Sequence, residues 1–141
     1  MLTDARLRDL PWAKFWRAQA LASLHRWADA LPLYEELSNE SSPFRKAAIF
    51  GAGEMLRALG KRQDALGKFI LLLHDKEWGT RAELRAAELH IELGNAPEAR
   101  QLLEQMQPAS AAERRERRVL RGRLELVRTG PNEQSGCFKR S

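Results

Sequence analysis

The feature that most constrains this chain is a phrase it states three times. Ala30 in RWADALPLYEEL, Ala65 in RQDALGKFILLL and Ala99 in APEARQLLEQM are each followed, four residues on, by a large residue: Tyr34, Phe69 and Leu103. The phrases lie 35 and then 34 residues apart. Leu24, Leu59 and Leu93 keep the same spacing just upstream, and Gly60 and Gly94 follow the last two. A fixed period of this length implies a unit too small to bury its own apolar face, stacked so that neighbours cover one another.

Each phrase reads as the second of two helices. Trp27, Ala30, Leu31, Tyr34 and Leu37 recur at steps of three and four, the spacing of one helical face, and Ala65, Leu66, Phe69, Leu72 and Leu73 do the same. The first helices carry start signals. Ser42-Pro43 offers an N-cap and a proline at the first helical position, Thr80 to Glu83 and Ser110 to Glu113 fit the capping box, and Pro97 opens its helix. No segment alternates with period two, so no strand is expected. The expected pairs are Pro11 to Leu24 with Trp27 to Ser38, Pro43 to Leu59 with Arg62 to His74, and Thr80 to Leu93 with Ala96 to Met106. An unpaired helix from Ser110 to about Thr129 follows as a cap with one polar side.

The Ala-x3-aromatic phrase, the Leu-Gly turn and the 34-residue period resemble the tetratricopeptide repeat over about Pro11 to Thr129. The family's small mid-helix position reads Ala18, Gly53 and Ala87, while its tryptophan position reads Lys14, Ile49 and Glu83. The resemblance implies an all-α fold: a right-handed α-solenoid of three helix pairs plus a C-terminal capping helix over residues 1–129, with residues 130–141 as a flexible tail or the point where a longer chain was cut.

The 141 residues are 43% hydrophobic and 30% charged, enough for about one domain with a continuous core. No apolar stretch approaches the roughly 20 residues of a membrane span, and MLTDARLRDL lacks the apolar middle of a secretory signal, so the expected compartment is the cytoplasm. The single cysteine, Cys137, has no internal disulfide partner and reads as an inert thiol in the tail. Charge is uneven. Residues 1–110 hold 15 Lys/Arg and 15 Asp/Glu, so the whole net charge of +5 lies beyond them. Arginines 114, 115, 117, 118, 121, 123 and 128 face only Glu113, Glu116 and Glu125 on the last helix. Such a helix is either a solvated cap or an attractor of acidic surfaces, and it lacks the interleaved aromatics of a nucleic-acid binder.

Signals for catalysis are weak. His25, His74 and His90 lie in different repeats without metal-ligand spacing, no phosphate-binding glycine loop occurs, and Gly51-Ala52-Gly53 sits inside a helical pattern where close packing explains it. No enzyme activity and no cofactor are expected. The family resemblance implies a concave groove lined by the first helices, carried onto Trp12, Phe15 and Gln19, then Ala47, Phe50, Glu54 and Arg57, then Arg81, Leu84, Glu88 and Glu92. By extension Arg115 and Arg118 continue it, within a basic patch of Arg114, Arg115, Arg117, Arg118 and Arg121. Glu54 and Glu88 would repel a peptide's terminal carboxylates, so a partner with an apolar anchor and acidic residues toward the arginines suits this face better. Trp12, Phe15 and Trp16 equally serve to close the end of the first repeat's core, and Trp78 to plug a turn. The expected function is a non-catalytic adaptor holding another protein. The alternatives are a structural or accessory subunit that self-associates or decorates an acidic polymer such as a tubulin-like filament, and, more weakly, a nucleic-acid-binding accessory protein.

Overall fold

The computed structural model describes residues 10–128. The expected tail of residues 130–141, with Cys137, lies outside the described residues. Those described form seven helices and no strand: α1 (Pro11–Ser23), α2 (Trp27–Ser38), α3 (Arg45–Ala58), α4 (Arg62–Ile70), α5 (Gly79–Glu92), α6 (Ala96–Gln105) and α7 (Ala111–Arg128). They divide into two compact units, one ending at Ala82 and the other starting at Glu83, within α5.

Three helix-to-helix turns share one construction. After α1, α3 and α5 the chain passes through a left-handed residue: His25 at φ 60°, Gly60 at 82° and Gly94 at 82°. The N–H groups of Arg26, Lys61 and Asn95 reach back to the carbonyls of Leu21, Leu56 and His90, and those of His25, Gly60 and Gly94 to Ala22, Arg57 and Ile91. This double closure is the Schellman motif, and it satisfies carbonyls that the helix end would leave orphaned. Glycine meets the positive φ without penalty at two of the turns; His25 bears the backbone cost at the first.

The small residues lie where the repeated phrase implies. Ala18, Gly53 and Ala87 in the first helices and Ala30, Ala65 and Ala99 in the second are all buried. In the first unit Ala18, Ala30, Tyr34, Leu37, Ala52 and Met55 join one core spanning α1, α2 and α3, with Phe69 of α4 fully buried beyond it. The helices approach so closely that a Cβ on Gly53 would lie 2.8 Å from the Phe69 ring, and one on Gly51 2.6 Å from the Tyr34 ring. The second unit has its own core. Leu84, Ala87 and Ile91 of α5 meet Ala99 and Leu103 of α6, and Leu120 and Leu124 of α7 close it.

Three expected helix ends move. Helix α3 begins at Arg45, not Pro43, because Ser42 uses its hydroxyl to accept the Phe44 N–H at 3.2 Å within a turn. Helix α4 stops at Ile70; Leu71, Leu72 and Leu73 tighten to i→i−3 hydrogen bonds, so the expected helical stretch to His74 is a turn. Thr80 is not the cap of α5, which already includes Gly79. Asp75 supplies the cap instead: its Oδ2 accepts the N–H groups of Glu77 and Trp78, each at 2.9 Å. Ser110 does cap α7, its Oγ accepting the Glu113 N–H at 3.1 Å, while Glu113 Oε2 reaches one residue past the expected box to accept the Ala109 N–H at 2.8 Å.

Two sets of substitutions test this architecture by urea denaturation. A Cβ at Gly60 or Gly94 meets nothing within 4 Å, so Gly60→Ala and Gly94→Ala isolate the backbone cost and should each destabilise by about 1 kcal/mol. Ala65→Leu should overpack a helix crossing and cost about 1–3 kcal/mol, whereas Gln63→Lys should stay within about 0.5 kcal/mol. Equal midpoints for Ala65→Leu, Gln63→Lys and wild type would place the alanine column off the crossing.

Candidate functional site

The residues expected to line a groove separate into packed and exposed sets. Phe15, half-buried on α1, stacks on Phe44 with centroids 5.0 Å apart and meets Tyr34 edge-on at 6.3 Å. Phe50 on α3 meets the buried Phe69 at 5.2 Å and Trp78 at 5.3 Å. Leu84, in the same register, is only 3% exposed and belongs to the core of the second unit. The expected placement of Leu84 on an open groove is therefore corrected: its side chain faces α6 and α7 residues, not solvent. Exposed apolar surface on α1 is instead Trp12, 49% accessible, and Trp16, 64%. Arg57 is half-buried and 3.9 Å from Glu54 one turn away. Arg81 is exposed and lies over the Trp78 ring at 5.3 Å.

Two charged contacts hold these elements. Lys14 reaches from α1 to Glu40 at 2.7 Å and Glu36 at 3.5 Å. The Glu40 hydrogen bond outweighs burial and raises the ammonium's pKa above its usual value. Asp75 pairs with Lys46 of α3, and that hydrogen bond, joined by the Trp78 N–H, holds the carboxyl below its ordinary value of 3.8. Asp75 thereby ties the turn that delivers Trp78 to Phe50. Sequence reasoning missed it because its partners lie 29 residues upstream and on the backbone just downstream.

The open surface with the most chemistry lies in the second unit, between α5 and α7. It is a cleft of about 410 Å³. Arg85 and Glu88 line it from α5, and Arg115, Glu116, Val119 and Arg123 from α7. Arg85 spans it, 3.8 Å from Glu116 and 3.9 Å from Glu88. Of the residues expected to line a groove, Glu88 and Arg115 line this cleft, and Arg85 lines it where Leu84 does not. Val119 stands 62% exposed at the cleft, an apolar residue among the charges of α7.

The basic patch is exposed at Arg114, Arg115, Arg118 and Arg121, and half-buried at Arg117. Among the described residues, none of these five, nor Arg123, forms an ion pair. The nearby carboxylates are occupied: Glu113 caps α7, and Glu116 turns to Arg85. On the other side of α7, one period beyond Leu84, Ala87 and Ile91, stand Arg118, Arg121 and Glu125, all exposed. The face that on α5 joins the core is charged on α7.

Burial lowers the pKa of His90, whose Nδ1 lies 3.4 Å from Asn95 Nδ2 at the Schellman turn. Among the described residues, no group of three His, Cys, Asp or Glu side chains is placed to hold a metal, and no helix is long and apolar enough to cross a membrane. Compared with known protein families, with characterised proteins and with solved structures, the chain matches none of them.

The Asp75 contact predicts a pH signature. Its folded pKa is lowered, so its stabilisation is present above the ordinary carboxyl value and is lost as pH falls through the lower folded one. Asp75→Asn keeps an oxygen for the turn but loses the charge facing Lys46. Wild type should be the more stable at neutral pH, with the gap closing as pH falls below the ordinary carboxyl value. A gap that persists unchanged in acid denaturation would assign the Asp75 contribution to the turn alone.

Proposed function

We propose that this protein is a tetratricopeptide-like, right-handed helical repeat that works as a non-catalytic adaptor, holding a segment of another protein. The repeat reading is supported by the three Schellman turns and two buried small-residue columns recurring at the sequence period. The observation that carries the function is the α5–α7 cleft, where an exposed apolar side chain, Val119, is ringed by Arg85, Arg115 and Arg123. Apolar surface that a partner can bury gives affinity, and Arg115 and Arg123, which form no ion pair among the described residues, select a partner with acidic residues and speed its approach. In the first unit, Trp12 and Trp16 stand exposed on α1, whereas the rings of Phe15 and Phe50 are engaged in packing.

A second reading also has an observation behind it. Arg114, Arg118 and Arg121 lie unpaired on the outer side of α7, a surface suited to an accessory subunit that decorates an acidic polymer such as a tubulin-like filament.

Affinity capture from the native source's lysate, with mass spectrometry, separates the two. The proteins retained by wild type should be lost by Arg115→Glu/Arg123→Glu and kept by Arg114→Glu/Arg121→Glu. The reverse pattern would favour the polymer reading, and identical captures by all three would remove both.

A further inference from the structure

Exposed apolar residues on α7 form a row. Ala112, Val119 and Leu126 are all exposed, Leu126 at 72%, and they stand seven residues apart. In a helix, residues at i, i+7 and i+14 fall on one narrow stripe, about 10.5 Å between successive members. The two apolar members at Val119 and Leu126 have no counterpart on α5, where one period earlier stand Arg85 and Glu92. The stripe therefore belongs to α7 alone and is not a feature that the repeat imposes.

The cleft beside the stripe carries three arginines and two glutamates, and Arg85 engages both glutamates, Glu88 and Glu116. Arg115 and Arg123 flank it on α7 without ion pairs, and Arg85 faces it from α5 across the cleft. Helix α7 carries seven arginines against three glutamates. This excludes a second copy of α7 as the natural cover, since two such helices would repel. A nucleic acid would use the arginines and leave the apolar row uncovered. An extended peptide would repeat its side chains every two residues, about 6.6 Å, out of step with the row.

We infer that the Ala112–Val119–Leu126 stripe, with the α5–α7 cleft beside it, docks an amphipathic α-helix of another protein, one whose apolar residues recur at seven-residue spacing and are flanked by Asp and Glu. The inference rests on the adaptor reading and specifies its partner. Apolar side chains of the incoming helix bury Val119 and Leu126, and its carboxylates meet Arg115, Arg123 and the edge of the cleft.

Three synthetic helical peptides serve as probes, each with leucines at seven-residue spacing and flanked by Glu, Lys or Ser. Fluorescence anisotropy at low and high salt measures their binding to the whole protein. The Glu-flanked peptide should bind at least about tenfold tighter than the Lys-flanked one, with an advantage that shrinks as salt rises. Val119→Asn/Leu126→Asn should weaken it about tenfold or more, and Arg115→Glu/Arg123→Glu should abolish the preference for Glu. Arg114→Glu/Arg121→Glu, on the other side of the helix, should leave both intact. Circular dichroism confirms the fold of each variant, and all four positions at Val119, Leu126, Arg114 and Arg121 are exposed.

Equal binding of the three peptides, or indifference to Val119→Asn/Leu126→Asn, overturns the inference. So does tighter binding of a labelled single-stranded RNA than of the Glu-flanked peptide, or a concentration-dependent dimer that disappears in Val119→Asn/Leu126→Asn. If the peptides fail while capture from lysate still depends on Arg115 and Arg123, the adaptor reading stands and the helical, acid-flanked partner does not.

Discussion

Close approach of helices at residues without bulk is the constraint from which the rest follows. At Gly53 even one carbon would meet the Phe69 ring at 2.8 Å, and at Gly51 the Tyr34 ring at 2.6 Å. Interiors packed to this density have no slack for an added methylene. The second helix must then offer a large residue four positions after its small one, so that the ring fills the space the small residue leaves. The Schellman turns are the second half of the constraint, because they reverse the chain within two residues and bring the second helix back onto the first at a fixed register. Side chains able to do chemistry are excluded from such an interior; they stand at the cleft, on the outer side of α7 and at the α1 surface.

What could be read from the sequence was whatever a single helix pair decides for itself. The alanine and glycine columns, the Leu-Gly turns and the Ser110 cap are local, and each has the packing or hydrogen bonds its pattern implies. What could not be read depends on a second element. Thr80 to Glu83 fits the same capping pattern as Ser110 to Glu113, yet the N–H groups ahead of α5 are taken by Asp75, which Lys46 holds from 29 residues upstream. The same turn explains the early end of α4, where the chain leaves the helix to reach that cap. Gly79 permits the closure: a Cβ there would sit 2.9 Å from the Leu73 carbonyl oxygen.

The error at Leu84 has a similar cause. Phe15, Phe50 and Leu84 share a repeat position, and assigning it to open surface treats a first helix as having one inner face. The structure gives that position inward work each time: ring packing for Phe15 and Phe50, and a place in the core for Leu84. One residue further along, Trp16 and Arg85 reach the surface. A shift of one residue turns a helical side chain by about 100°, so a register correct to within one residue still misassigns the site.

Solvent exposure explains why one side of α7 is polar, but not why its polarity has one sign. A solvated face needs only polar side chains, and alternating glutamate and arginine would provide them with favourable pairs worth a few tenths of a kcal/mol each. Here two of the three carboxylates are spent elsewhere, Glu113 on the cap and Glu116 on Arg85, while Arg114, Arg115, Arg117, Arg118, Arg121 and Arg123 form no ion pair among the described residues. Like charges three and four apart are unfavourable by similar amounts, so the arrangement costs stability rather than adding to it. The same helix also exposes Val119 and Leu126, where a solvated cap would carry polar side chains. Both departures lie on one helix, and an acidic, apolar partner would relieve both at once by neutralising the arginines and covering the stripe.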